Sequence, residues 1–225
     1  YYLGDGENTL ELDEKQAQLP EINKDIIYDQ VTVARTMKAG KWNTFVVPFD
    51  MEIPAGWEVK KLTGSTVNGD NITLNFSDAS AIEAGVPYMV RVASDVSEIE
   101  VEKVNVTTTL NNASTGDIEF VGVYKSGNVP VGTFFISNNK FYHATGDSNT
   151  IKAFRAYLAP VNANIKAVGY TFDDMDATVI EGVEDAEKAE PVAVYGADGA
   201  FRAGLQKGLN IVKMSDGKVK KVFVK

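Results

Sequence analysis

The lone histidine is the first residue whose type could carry chemistry. The chain has 225 residues, with His143 as its only histidine and no cysteine. A catalytic histidine needs a nucleophile and an orienting carboxylate, and no Gly-x-Ser-x-Gly motif supplies the nucleophile. One histidine and no cysteine also give no ligand set for a transition metal. We therefore expect a protein that is not an enzyme, and we assign no catalytic residue.

The densest acidic run is the second candidate for chemistry. Asp173, Asp174 and Asp176 fall within four residues, and hard cations such as Ca²⁺ bind several oxygen ligands from one loop. The run lacks the glycine and the distal glutamate of an EF-hand, so a solvated turn that ends a strand is the alternative. We expect the chain to need no metal or cofactor for folding, because a chain of this length can bury a sufficient core.

Three aromatic residues are the candidates for ligand binding. Trp57, Trp42 and Tyr142 carry flat rings that could stack on a sugar, and Trp57 follows the turn sequence Ile-Pro-Ala-Gly at 53–56. The alternative for each is packing in the core, where aromatic side chains bury a large area.

A charged residue interrupts one apolar run. Arg155 lies between Phe154 and Ala156, and period-2 alternation places it on the face opposite Phe154, Ala156 and Leu158. An arginine in a largely buried strand needs a carboxylate partner. We suggest Glu83 or Asp50 for that role.

The overall charge limits the class of partner. Lys and Arg number 22 and Asp and Glu number 31, which gives a formal net charge of −9. An acidic chain repels phosphate, so we expect no nucleic-acid partner. No apolar run approaches 18 residues, so we expect no transmembrane segment. We expect a monomer.

The elements that must position these residues are β-strands. Short runs rich in Val, Ile, Thr, Phe and Tyr alternate with Gly, Asn, Asp and Pro, which predicts an all-β fold, an antiparallel β-sandwich with a small C-terminal β module. Asn138-Asn139 predicts a two-residue hairpin loop, and only residues 11–18 indicate a helix. The predicted strands are 27–37, 42–49, 57–62, 72–76, 88–92, 99–110, 118–124, 133–137, 140–143, 151–158, 167–172, 178–180, 192–195, 209–214 and 219–224.

The composition also divides the chain. Residues 1–26 are an N-terminal extension or a first strand, 27–182 the sandwich, 183–191 an acidic linker and 192–225 the C-terminal module. We expect this module to dock on the sandwich, because exposing so many of its apolar side chains to water is costly. A chain that begins at Tyr1 without Met is expected to be a fragment or a processed product.

Two groups of segments carry a family resemblance. The sequences Val-Tyr-Gly-Ala-Asp-Gly at 194–199, Lys-Gly-Leu-Asn-Ile-Val at 207–212 and Lys-Val-Phe-Val-Lys at 221–225 resemble a shortened type IX secretion sorting domain of secreted Bacteroidetes proteins. Asn210 stands where that family usually has Tyr. Segments 41–50, 82–90 and 151–158 are similar to β-rich, adhesin-like surface proteins of gut Bacteroidetes.

The resemblance implies export and a non-enzymatic role. We expect a secreted or cell-surface interaction module, located outside the outer membrane, with an unknown protein or glycan as its partner. The alternative is a carbohydrate-binding module that holds a glycan through exposed aromatic side chains. Two or more exposed coplanar rings on one face would favour the sugar ligand.

Overall fold

The structure is a computed structural model that describes residues 8–137, 139–146, 149–162, 164–172, 184–185, 191–196, 199–202, 204–214 and 219–224. The chain divides into two compact units, Tyr1–Val183 and Glu184–Lys225. The described residues form strands and no helix, so the predicted all-β class is confirmed. The strands are β1 (Thr9–Asp13), β2 (Tyr28–Met37), β3 (Trp42–Phe45), β4 (Trp57–Asn68), β5 (Asn71–Asp78), β6 (Tyr88–Val92), β7 (Val96–Val104), β8 (Ala113–Ser114), β9 (Ile118–Val123), β10 (Gly127–Asn128), β11 (Phe134–Ser137), β12 (Lys140–His143), β13 (Thr150–Ile151), β14 (Arg155–Pro160), β15 (Ala167–Phe172), β16 (Glu184–Asp185), β17 (Pro191–Gly196), β18 (Phe201–Arg202), β19 (Gly208–Met214) and β20 (Val219–Val224).

Three sheets form the body of the first unit. The first sheet has the order β1-β2-β7, and the middle sheet has the order β15-β5-β4-β6-β3. In the third sheet the strands follow as β12-β11-β14-β9-β8. A separate pair, β10 with β13, covers part of the outer face of the third sheet.

The middle sheet is covered on both faces. Val90 of β6 belongs to the core shared with the first sheet, which includes Val31 and Val33. The neighbouring Met89 belongs to the core shared with the third sheet, which includes Phe120 and Leu158. Alternate residues of one strand therefore enter two different cores, because successive side chains of a strand point to opposite faces. The predicted sandwich is in effect two sandwiches that share one sheet.

Three sequence expectations about secondary structure are wrong. Residues 11–18 do not form a helix: β1 places Leu10 and Leu12 inside and Thr9, Glu11 and Asp13 outside, as a half-buried strand does. Antiparallel pairing does not hold throughout, because β1 pairs with β2 in parallel and β15 pairs with β5 in parallel. The predicted run at 151–158 is also broken into β13 and β14.

The second unit has a sheet of order β18-β17-β19-β20. Asn210 of β19 is buried, and its side-chain amide donates to the carbonyl oxygens of Gln206 and Gly208 at 2.6 and 3.0 Å, while its Oδ1 accepts from the Gln206 N–H at 2.9 Å. An asparagine here therefore holds the loop before β19. Val192, Leu209 and Val219 of this unit are exposed.

Candidate functional site

A partly buried group of charges lies where three segments of the first unit meet. Glu14, Arg35, Lys152 and Arg155 form this group, which we call the Glu14 cluster. The Glu14 carboxylate accepts a hydrogen bond from Lys152 Nζ at 2.5 Å, from Arg155 Nη2 at 2.9 Å and from Arg35 Nη1 at 3.4 Å. One carboxylate therefore serves three cations, and the cluster keeps an excess of positive charge.

Arg35 is the most deeply buried member of the cluster. It follows Val31 and Val33 on the inward face of β2, and it has no exposed surface. Its guanidinium donates to the Thr44 carbonyl oxygen at 2.9 Å and to the Thr36 carbonyl oxygen. A buried arginine is tolerated only when such acceptors replace water. Arg35 consequently ties β2 to β3 and to Glu14.

The backbone around Glu14 fixes its direction. Glu14 directly follows β1, and its N–H donates to the Ala34 carbonyl oxygen at 3.0 Å. The Glu14 carbonyl oxygen accepts from the Ala153 N–H at 2.8 Å, and Asp13 Oδ1 accepts from the Lys15 N–H at 2.7 Å. Backbone bonds to two distant segments therefore hold this carboxylate in place.

Phe154 sets the directions of Lys152 and Arg155. It is fully buried, yet its φ is 60°, in the left-handed region that a bulky residue enters only at a cost of about 1–3 kcal/mol. Its N–H donates to the Val123 carbonyl oxygen at 2.7 Å. This turn interrupts the predicted strand, and both cations that flank Phe154 contact the Glu14 carboxylate as a result.

Glu14 and Arg35 are both ionised at neutral pH. Burial raises the pKa of Glu14, but the Lys152 hydrogen bond and the charges of Arg155, Arg35 and Lys152 outweigh burial and place that pKa below 4.5. Burial and then the charge of Arg155 lower the pKa of Arg35 to about 9, and Glu14 opposes that shift. Glu14 is therefore a carboxylate and Arg35 a cation at pH 7.

A small pocket opens beside the cluster, and we call it the basic pocket. Its volume is about 280 Å³. Four cations contribute to its lining, and none of the described residues that line it is acidic. Such a lining is unusual in a chain with a net charge of −9. The lining residues are Thr36, Lys38, Lys41, Trp42, Asn43, Ile136, Ser137, Lys152 and Arg155.

The turn between β2 and β3 supplies two of these cations. The Lys41 N–H donates to the Lys38 carbonyl oxygen at 3.2 Å, and Gly40 has a φ of 69°, which glycine adopts without strain. Asp95 accepts hydrogen bonds from Lys38 Nζ at 2.5 Å and from the Ala39 N–H at 2.9 Å. Both contacts lower the pKa of Asp95, the backbone one more strongly. This carboxylate consequently anchors the turn.

The two tryptophans lie in different surroundings. Trp42 is only 7% exposed, and its ring stacks on Phe172 at 4.3 Å between centroids with the Arg91 guanidinium 5.0 Å away. Most of its ring surface is thus unavailable for the sugar stacking that we expected of it. Trp57 is half-buried and packs edge-on against Phe45 at 5.6 Å.

Tyr142 belongs to a row of aromatic side chains on the third sheet. Its ring stacks on Phe135 with centroids 5.7 Å apart and an angle of 23° between the planes. The pairing of Phe134 with Leu158 puts Phe135 beside Tyr157 on the same face. All three rings of this row are half-buried. The structure therefore brings Tyr142 together with Phe135 and Tyr157.

The remaining predicted residues have separate outcomes. His143 is half-buried and stacks on Phe134 with centroids 4.7 Å apart. The predicted calcium ligands Asp173, Asp174 and Asp176 lie outside the described residues. Within the ranges that the structure describes, no group of three or more His, Cys, Asp or Glu side chains could hold a metal ion.

Sequence reasoning missed the centre of the site. Arg155 does have a carboxylate partner, as its place in an apolar run predicted, but the partner is Glu14 and not Glu83 or Asp50. Glu14 stands among other charged residues in the sequence and carries no signal of burial. The one clue was the need of Arg155 for a partner.

Comparisons with known proteins return no relative. No protein-family model matches the chain, no curated protein matches it, and no solved structure matches it. Among the described residues, no helix has the length and apolar character needed to cross a membrane.

Proposed function

We propose that the chain is a non-enzymatic recognition module of a secreted or cell-surface bacterial protein. Its first unit supplies the binding surface, and the basic pocket is the point of contact with an acidic partner. The likeness of segments 194–225 to a secretion sorting domain supports the extracellular location.

The observation that carries this proposal is the way the basic pocket is built. Lys152 and Arg155 reach it from the segment around Phe154, and both are held by the buried Glu14 carboxylate. Side chains that are already ordered lose little conformational entropy when a partner binds. A preformed cationic pocket in an acidic protein also selects for acidic partners, because the surrounding surface repels them elsewhere.

A carbohydrate-binding module that uses aromatic stacking is the second candidate. The specific observation in its favour is the row of Tyr142, Phe135 and Tyr157 on one sheet face, where the stacked rings of Tyr142 and Phe135 lie within 23° of parallel. Phe135 and Tyr157 pack in part against the β10–β13 pair, so a sugar would contact the uncovered part of this half-buried row.

The experiment that separates the two candidates is a binding array of glycans and matrix proteins, probed with the full chain and two variants. Lys41→Glu reverses one charge of the basic pocket, and Tyr142→Ala removes one ring of the aromatic row. We expect acidic partners to bind, and we expect Lys41→Glu to weaken their binding. Lys61→Glu is the control, because it makes the same charge change outside the pocket lining. Loss of binding in Tyr142→Ala alone supports the second candidate. An array on which the chain binds nothing contradicts both.

A further inference from the structure

We infer that the basic pocket binds the carboxylate of an acidic sugar residue. This inference rests on the proposed function and names the ligand class of the same pocket. The three observations that carry it are the charge balance of the Glu14 cluster, the neutral polar side chains around it and the size of the pocket.

The charge balance calls for an anion. Among the described residues, Glu14 is the only carboxylate that contacts Arg35, Lys152 and Arg155. Lys41, a fourth cation nearby, also lines the pocket. An anion placed between Lys41, Lys152 and Arg155 offsets the excess positive charge. Arginine and lysine side chains make their strongest hydrogen bonds to carboxylates and similar anions.

The neutral part of the lining favours a sugar over a bare anion. Thr36, Asn43 and Ser137 line the pocket together with the cations. Their hydroxyl and amide groups both donate and accept, which suits the hydroxyl groups of a sugar ring. An inorganic anion or an acidic peptide side chain would use the cations but would bring no hydroxyl groups to these three residues.

The volume sets the size of the ligand. Small-molecule sites usually enclose about 300–1,000 Å³, and this pocket is at the lower end with about 280 Å³. One sugar residue fits that space. A longer glycan would place a single acidic residue in the pocket and continue across the surface.

The test compares two sugars that differ only at the acidic group. Methyl galacturonide carries a carboxylate where methyl galactoside carries a hydroxymethyl group, and both are titrated into the full chain by calorimetry at low salt. We expect the galacturonide to bind at least about tenfold more tightly, which corresponds to one charged hydrogen bond. We expect Lys41→Glu to weaken the affinity for the galacturonide by about tenfold or more, and Lys61→Glu to change that affinity by no more than about twofold.

Nuclear magnetic resonance locates the ligand in the same titration. Trp42 lines the basic pocket and Trp57 lies elsewhere, so the indole N–H signal of Trp42 should move while that of Trp57 stays in place. A shift of Trp57 alone would overturn the assignment to this pocket.

Other outcomes separate this inference from the proposed function. Equal affinity for the two sugars, or no effect of Lys41→Glu, overturns the carboxylate assignment. Binding of a triglutamate peptide without binding of the galacturonide overturns the sugar assignment and leaves an acidic protein partner, so the proposed function stands. If none of these probes binds, the inference is wrong, and the array then decides the proposed function separately.

Discussion

Replacing Glu14 with glutamine tests the role of the buried carboxylate. The Glu14→Gln side chain keeps its size and one acceptor oxygen, but it leaves Arg35 charged, fully buried and without a carboxylate. Removing one partner of a buried ion pair costs about 3–5 kcal/mol. We expect the lower end, about 3 kcal/mol, because Lys152 and Arg155 are 47% and 26% exposed and can turn toward water.

Thermal unfolding measures this loss directly. Both tryptophans lie in the first unit, so their fluorescence follows that unit alone. For a unit of this size, a change of 1 kcal/mol shifts Tm by about 2–4 °C. Glu14→Gln should therefore lower Tm by about 6–12 °C.

Two further variants test the cause of the shift. Glu58→Gln removes a partner of Arg91 from a pair that is partly exposed on both sides, and such pairs contribute about 1 kcal/mol or less. The double variant Glu14→Gln with Arg35→Met removes both buried charges and should recover part of the loss. If Glu14→Gln melts within about 4 °C of the parent, as Glu58→Gln should, the cluster does not stabilise the fold and our reasoning is refuted.

The pH dependence of Tm also tests the contribution of the Glu14 carboxylate to stability. The pKa of Glu14 lies below 4.5 in the folded state, so the folded state binds this proton less readily than the unfolded state does. The stabilisation is present above about pH 4.5 and is lost as the pH falls through the folded pKa. The difference in Tm between the parent and Glu14→Gln should therefore shrink below pH 4.5, and a constant difference down to pH 2 would contradict this.

Three further predictions concern backbone conformation and metals. Gly85→Ala should lower the free energy of unfolding in denaturant melts by at least about 2 kcal/mol, because a Cβ there lies 2.4 Å from the Thr109 carbonyl oxygen at a φ of +77°. Gly40→Ala is the control, since its Cβ meets no atom within 4 Å, and it should lower that free energy by about 1 kcal/mol. Asn139→Ala should lower the free energy of unfolding by about 1–2 kcal/mol, since Asn139 has a φ of 65° and its Oδ1 accepts from the Trp42 N–H at 2.7 Å. An equal loss in Asn139→Gly would show that the positive φ does not contribute. A strong chelator should leave Tm unchanged, and a drop of several degrees would instead assign a calcium site to the acidic run.

The strands that the sequence predicted best are those whose pattern is local. The bounds of β6, β12 and β15 coincide with the predicted runs, because each run ends at a turn signal. Ser137 pairs with Lys140, and Asn139 has a positive φ, as the predicted two-residue loop requires. Here the residues that decide the structure are neighbours in the chain.

The features that the sequence did not predict depend on distant residues. Parallel pairing of β15 with β5 joins positions almost a hundred residues apart, and no local pattern records which strand is chosen. Glu14 becomes buried only because the segment around Phe154 folds over it. Trp42 is inaccessible because Phe172 covers it, which its own surroundings in the sequence do not indicate.

The shared middle sheet has a consequence for hydrogen exchange. Strand β6 lies between β4 and β3, and its side chains enter the cores on both sides. Its amides can reach solvent only when both outer sheets separate from it, which amounts to unfolding of the whole unit. The slowest-exchanging amides of the first unit are therefore those of Tyr88–Val92, and their exchange rates measure its global stability without any denaturant.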